Sequence, residues 1–167
     1  MRSKWPVLAD RMTGNPDAIA SMAIKLVPGS HRLGKIAAFD AALAGMNGEQ
    51  FRRRALYLIW QNPWMTISRD TYISKFLALA GWRTVAHNDV VRYPEVTIDD
   101  TLLDDVDDVL FSTEPYTFSE ADLAAFAKEH PAHAAKARLI DAEMVSWYGS
   151  RAVAGLGYLK HLAMAGI

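Results

Sequence analysis

The side chains best suited to hold a ligand in this 167-residue chain are aromatic, and they fall in four short segments. Trp60 with Trp64, Tyr93, Tyr116, and Trp147 with Tyr148 stand on four predicted loops, each after a strand. Side chains that could do covalent chemistry are fewer and poorly placed. Ser68 stands between an apolar strand and a helix, the position of a nucleophile elbow, but the flanking glycines of G-x-S-x-G are absent. His130 and His133 flank Pro131 at a predicted helix end, with no third metal ligand nearby, and read as surface residues. Gly155-Leu156-Gly157 lies inside a helical pattern and lacks a preceding strand and a third glycine, so it reads as helix packing and not as a phosphate loop. The acidic run from Asp99 to Asp108 lacks the glycine and glutamate of a calcium loop and reads as a solvated face. Glu143 stands between a strand and two aromatics. Its carboxylate suits a metal or amine ligand, or a first-turn acid of a helix, and position alone leaves both open. The residue types therefore favour a binding surface over catalysis.

Composition excludes several classes. There are no cysteines, hence no disulfides, thiolate metal sites or cysteine nucleophiles. The net charge of −1 gives no bulk attraction for nucleic acid. Arg52-Arg53-Arg54 reads as a solvated approach to a buried strand rather than a nucleic-acid contact. No apolar run reaches bilayer-spanning length, and the basic start of the chain has no apolar h-region, so no secretory signal is expected. Charge is uneven: from Asp89 to Asp122 eleven acids face a single base, Arg92, which leaves the remainder basic.

The aromatic segments need elements to hold them. A short helix is expected over Asp17–Val27 and another over about Ser30–Ala44. Ala55–Ile59 is a continuous apolar run, as in a strand covered on both faces, and Asn62-Pro63 ends it. Asp70–Ala80 puts Ile73, Phe76, Leu77 and Ala80 on one helical face, with Gly81 as C-cap. Further strands are expected at 83–86, 108–112 and 137–140. Helices are expected after Thr97 (as cap), after Ser119 with Asp122, and from about 150 to 165. The predicted class is α/β: a three-layer lobe with a four-stranded, mostly parallel sheet flanked by helices, preceded by N-terminal helices. The domain division is 1–50, helical, and 51–167, the lobe. In such a sheet, ligands meet the loops after the carboxyl ends of the strands, and all four aromatic segments lie there.

Four stretches, WQNPWMTISRDTYISKFLALAGW, RYPEVT, DDVLFSTEPYTF and DAEMVSWYGSR, resemble in order and spacing the C-terminal lobe of the helical-backbone metal receptors. These are the periplasmic substrate-binding proteins of ABC importers for cobalamin, haem and ferric siderophores. The resemblance covers about Ala55 to Ala163. It implies two α/β lobes joined by a long helix, with the ligand between them and no enzymatic activity. The segment 30–44 then corresponds to part of that helix. It implies ligand-facing roles for Trp64, Ser68, Arg69, Tyr93, Glu143, Trp147, Tyr148 and Arg151, and docking of an ABC permease by Asp99 with Asp100. The implied partners are a metal chelate, the permease, and either a separate first lobe or a second copy of the chain; no cofactor, bound metal or nucleic acid is implied. The implied compartment is the periplasm, with the cytoplasm as the alternative given the missing signal, and an interaction module without a transport role as the second function.

Overall fold

The computed structural model describes residues 53–85, 90–147 and 151–165. The N-terminal helices expected before residue 50, and with them the domain division, lie outside these residues.

The apolar run forms the central strand, β1, Arg53–Trp60. Its side chains alternate between two cores. Ala55, Tyr57 and Ile59 enter one, and Leu56 and Leu58 enter the other, which is why the run is apolar without a break. The chain then turns through Asn62, whose φ of 59° is in the left-handed region, into a two-residue strand β2, Met65–Thr66. Helix α1, Tyr72–Leu79, follows. It starts two residues later than the apolar pattern suggests because Thr71 is its cap, with Oγ1 accepting from the Ser74 amide at 3.2 Å. Gly81, at φ 88°, terminates it as expected. Strand β3, Trp82–Thr84, leads by way of the 90–99 segment to helix α2, Asp100–Asp104, and strand β4, Asp108–Ser112. Helix α3, Glu120–Glu129, a 3-10 turn at Pro131–Lys136 and strand β5, Ala137–Ile140, come next. A short helix α4, Ala142–Ser146, and the long α5, Arg151–Ala165, complete the order.

β1, β3, β4 and β5 form the expected parallel sheet, and β2 joins it antiparallel. β4 occupies one edge of β1, pairing Ala55–Leu58 with Asp108–Phe111, and β5 lies outside it. β3 and β2 must share the other edge, β3 along Arg53–Ala55 and β2 along Leu58–Trp60. The spatial order is thus β3-β1-β4-β5. The chain leaves β1 in one direction and returns in the other to form β4, so the switch point lies between β1 and β4. Helices α1, α4 and α5 cover one face of the sheet through Ile73, Phe76, Leu77, Val145, Ala152, Leu156 and Leu159. The other face is covered by Leu103, Val106, Phe118 and Phe126.

Three sequence readings change. Asp99, not Thr97, caps α2: its Oδ1 accepts from the Leu102 amide at 2.8 Å. Arg54 is solvated as expected, but Arg53 is not. Arg53 donates to both carboxylate oxygens of the fully buried Asp108, at 2.5 and 2.9 Å, and Arg54 pairs with Asp105. Arg138 at 3.0 Å and the Trp82 indole at 2.8 Å complete the ring around Asp108, at the amino-terminal end of the sheet. His133 is not a surface residue but 7% exposed, with Nε2 facing Asp100 and Asp104 at 3.6 and 3.7 Å. The capping box at Ser119 and Asp122 is present, and the backbone half is made by the Ser119 amide donating to Asp122 at 2.8 Å.

Candidate functional site

At the carboxyl end of the sheet the loops after β1, β3, β4 and β5 converge. Among the described residues six large apolar side chains are exposed, and five of them, Trp60, Val90, Val91, Tyr93 and Trp147, lie at or just after the ends of β1, β3 and β5 that form this rim. Apolar side chains scattered singly over a surface need no explanation, whereas five gathered at one edge mark a contact surface.

Each is held in place by its own element. Trp60 ends β1, is 40% exposed, and meets the edge of Tyr116 at 5.6 Å. Tyr116 comes from the loop after β4, so this contact spans the switch point. The Tyr93 segment is fixed as a ribbon along β2. The amide of Thr66 donates to Pro94 at 3.0 Å, that of Ser68 to Arg92 at 2.8 Å, and that of Val96 to Trp64 at 2.9 Å. Tyr93 itself remains 39% exposed. Across the rim, β5 is followed by Asp141, whose side chain caps α4 by accepting from the Glu143 amide at 2.9 Å. The amide of Ala142 donates to Thr113 Oγ1 at 3.0 Å, and that of Asp141 to the Tyr158 hydroxyl at 2.9 Å, tying α4 to β4 and α5. Burial raises the Tyr158 phenol pKa, so at neutral pH it is the uncharged hydroxyl that accepts this bond.

Glu143, Trp147 and Arg151 come together. The Arg151 guanidinium is ion-paired with Glu143 and stands 5.4 Å from the centre of the Trp147 ring. The Trp147 indole N–H donates to Glu114 Oε2 at 3.3 Å. Glu143 is a first-turn acid of α4, and its carboxylate is 48% exposed beside Arg151. Tyr148 lies outside the described residues.

The other candidates sit lower. Trp64 is half-buried and stacks on Phe118 at 6.0 Å, with Phe111 edge-on at 6.2 Å, so most of its ring belongs to the core under the rim. Ser68 is 3% exposed, and its Oγ has no hydrogen-bond partner among the described residues. Arg69 Nε donates to the carbonyl of Thr84 at the end of β3, 3.0 Å away. Its neighbour Asp70 is exposed, and a hydrogen bond from Lys75 at 2.7 Å holds its carboxyl below the usual range. Asp99 and Asp100 are exposed at the start of α2. Glu114 was not singled out as a site residue in the sequence, nor was the contact between Trp60 and Tyr116. The signal that could have found Glu114 was its place, two residues past the end of β4. Among the described residues no His, Asp and Glu groups are arranged to hold a metal ion, and no helix is long and apolar enough to cross a membrane.

No protein-family model and no curated protein matches the chain by sequence. Solved structures do match by shape. The periplasmic vitamin B12 binding protein of Vibrio cholerae superposes with a TM-score of 0.69 at 16% identity, covering 93% of this chain and 64% of that one. A periplasmic haem binding protein from Pseudomonas aeruginosa gives 0.63 at 21%, covering 89% and 60%. The Fe3+-hydroxamate transport protein of Saccharomonospora viridis gives 0.62 at 16%, covering 89% and 55%. This chain spans less than two thirds of the length of each. These neighbours are solute-binding proteins rather than enzymes. The chain therefore has the fold of the periplasmic binding proteins for cobalamin, haem and ferric hydroxamate, the class whose C-terminal lobe its motifs resemble.

Proposed function

We propose that this chain supplies one wall of the ligand cleft in a periplasmic substrate-binding protein of an ABC importer for a metal chelate such as cobalamin, haem or a ferric siderophore. The observation that supports it most is the rim: exposed aromatic and aliphatic side chains concentrated at the switch point of an α/β sheet, where such folds take their ligands. Tyr93 and Trp147 offer ring faces to a flat, apolar chelate, with Tyr148 following in sequence. Arg69, Glu143 and Arg151 frame them, and Trp64 and Ser68 form the floor. Asp99 and Asp100, exposed on α2, suit electrostatic docking to a basic permease surface. The opposite wall in this reading comes from a first lobe or from a second copy of the chain.

Titration of intrinsic tryptophan fluorescence with cyanocobalamin, haem and a ferric hydroxamate tests this reading. Saturable quenching, reduced by Trp147→Ala, is expected for at least one of them. Absence of quenching by all three up to high micromolar ligand would refute it. A second reading, an interaction module with the same lobe and no transport role, is compatible with the low identities of 16–21%, at which the fold is shared and the role need not be. Retained binding without docking to an importer would favour that reading.

A further inference from the structure

Most charges of the rim are paired. On the loops and helix starts that follow the parallel strands, Asp70 is paired with Lys75 and Glu143 with Arg151, and Arg69 and Arg92 supply two more guanidinium groups. Each guanidinium is already engaged. Arg69 donates to the Thr84 carbonyl, Arg92 lies 3.9 Å from Asp70, and Arg151 is paired with Glu143. Glu114 stands apart from this pairing. Its contact on the rim is the neutral indole N–H of Trp147 at 3.3 Å, beside the most exposed ring of the site. A chelate that stacks on Trp147 must lie close to the Glu114 carboxylate. A polyanionic chelate would meet there a carboxylate that no cation pairs with among the described residues. A neutral chelate bearing N–H donors, or one carrying an ammonium group, would find an acceptor there.

We infer that the rim selects neutral or cationic chelates over polyanionic ones, and that Glu114 sets this discrimination. The inference rests on the metal-chelate reading above and narrows its substrate class to amide-rimmed corrinoids and ferric hydroxamates, away from catecholate siderophores. A unit charge about 7 Å from Glu114 changes affinity by roughly threefold at the dielectric of water, and by more where water is excluded.

The test is fluorescence titration of the full chain at low ionic strength with three ferric chelates: a neutral trihydroxamate, a trihydroxamate carrying a free ammonium group, and a trianionic tris-catecholate. The two hydroxamates are expected to bind and the catecholate to bind at least tenfold more weakly. Glu114→Gln keeps an acceptor for the Trp147 indole, so the site's geometry is retained. It should tighten the catecholate by more than tenfold, weaken the ammonium-bearing chelate about threefold, and change the neutral one least, with differences that fade as salt is added. Catecholate binding as tight as hydroxamate binding by the unaltered chain would overturn the inference while leaving the metal-chelate reading standing. An equal effect of Glu114→Gln on all three ligands would overturn the role of Glu114. Binding of none of these chelates, nor of cyanocobalamin or haem, would overturn the metal-chelate reading itself.

Discussion

Gly155 and Gly157 sit two residues apart on α5, and the structure predicts opposite outcomes for the same substitution. A Cβ on Gly155 would lie 2.1 Å from the carbonyl oxygen of Met144 and 3.0–3.1 Å from the ring of Phe76. The first contact is with backbone, which cannot rotate away. To restore an ordinary separation, α5 must retreat from α4 and α1 by about 1 Å, opening the interface that buries Leu156 and Leu159. A Cβ on Gly157 meets nothing within 4 Å. Both glycines gain about 1 kcal/mol of helix propensity on changing to alanine. Gly157→Ala should therefore stabilise by up to that amount. Gly155→Ala should add an overpacking penalty of roughly 1–3 kcal/mol or more, so that it is net neutral to destabilising. Urea denaturation of the two variants, followed by tryptophan fluorescence, reads the difference with propensity cancelled. Because α4 carries Glu143 and ends at Trp147, Gly155→Ala should also weaken chelate quenching. Equal stability of the two variants would refute the close approach of α5 to α4.

Asp108→Asn should destabilise by roughly 2–4 kcal/mol in the same denaturation assay, because it leaves Arg53 and Arg138 half-buried around a neutral group. A loss below about 0.5 kcal/mol would show that the ring of donors contributes little, as at an exposed pair. Burial pushes the Tyr57 phenol from 10.0 up to about 12, partly offset by its hydrogen bond to Ser112, and burial raises Tyr72 as well. A phenol whose folded-state pKa is raised contributes stability that is fully present below pH 10 and lost as pH climbs to about 12. Tyrosinate absorbance should therefore show these phenols titrating with unfolding, and Tyr57→Phe should flatten the fall in stability over that window. Titration of all six tyrosines near pH 10 without unfolding would contradict the burial.

Much of the fold is legible in the chain because local patterning and burial agree. The Ala55–Ile59 run fixes a strand covered on both faces, and the spacing of Ile73, Phe76 and Leu77 fixes a helix beside it. Gly81, Ser119 and Pro131 mark ends through backbone chemistry that neighbours in space do not alter. The alternation of strand and helix then implies a parallel sheet and puts the aromatic segments at its carboxyl rim. What sequence could not supply is anything decided by partners distant along the chain. β2 is two residues long, and its pairing with β1 and with the Tyr93 ribbon rests on tertiary hydrogen bonds, not on propensity. Trp64 and Trp60 are four residues apart and equally apolar, yet Phe118 draws one inward while the other stays at the rim. Arg53 finds Asp108 across 55 residues, and Trp147 finds Glu114 across 33. The sequence by itself determined which elements form and which end of the sheet carries the aromatics, since period and capping are local. Only the tertiary structure decided which of those aromatics face outward and which charges stand beside them, because long-range packing and pairing settle both.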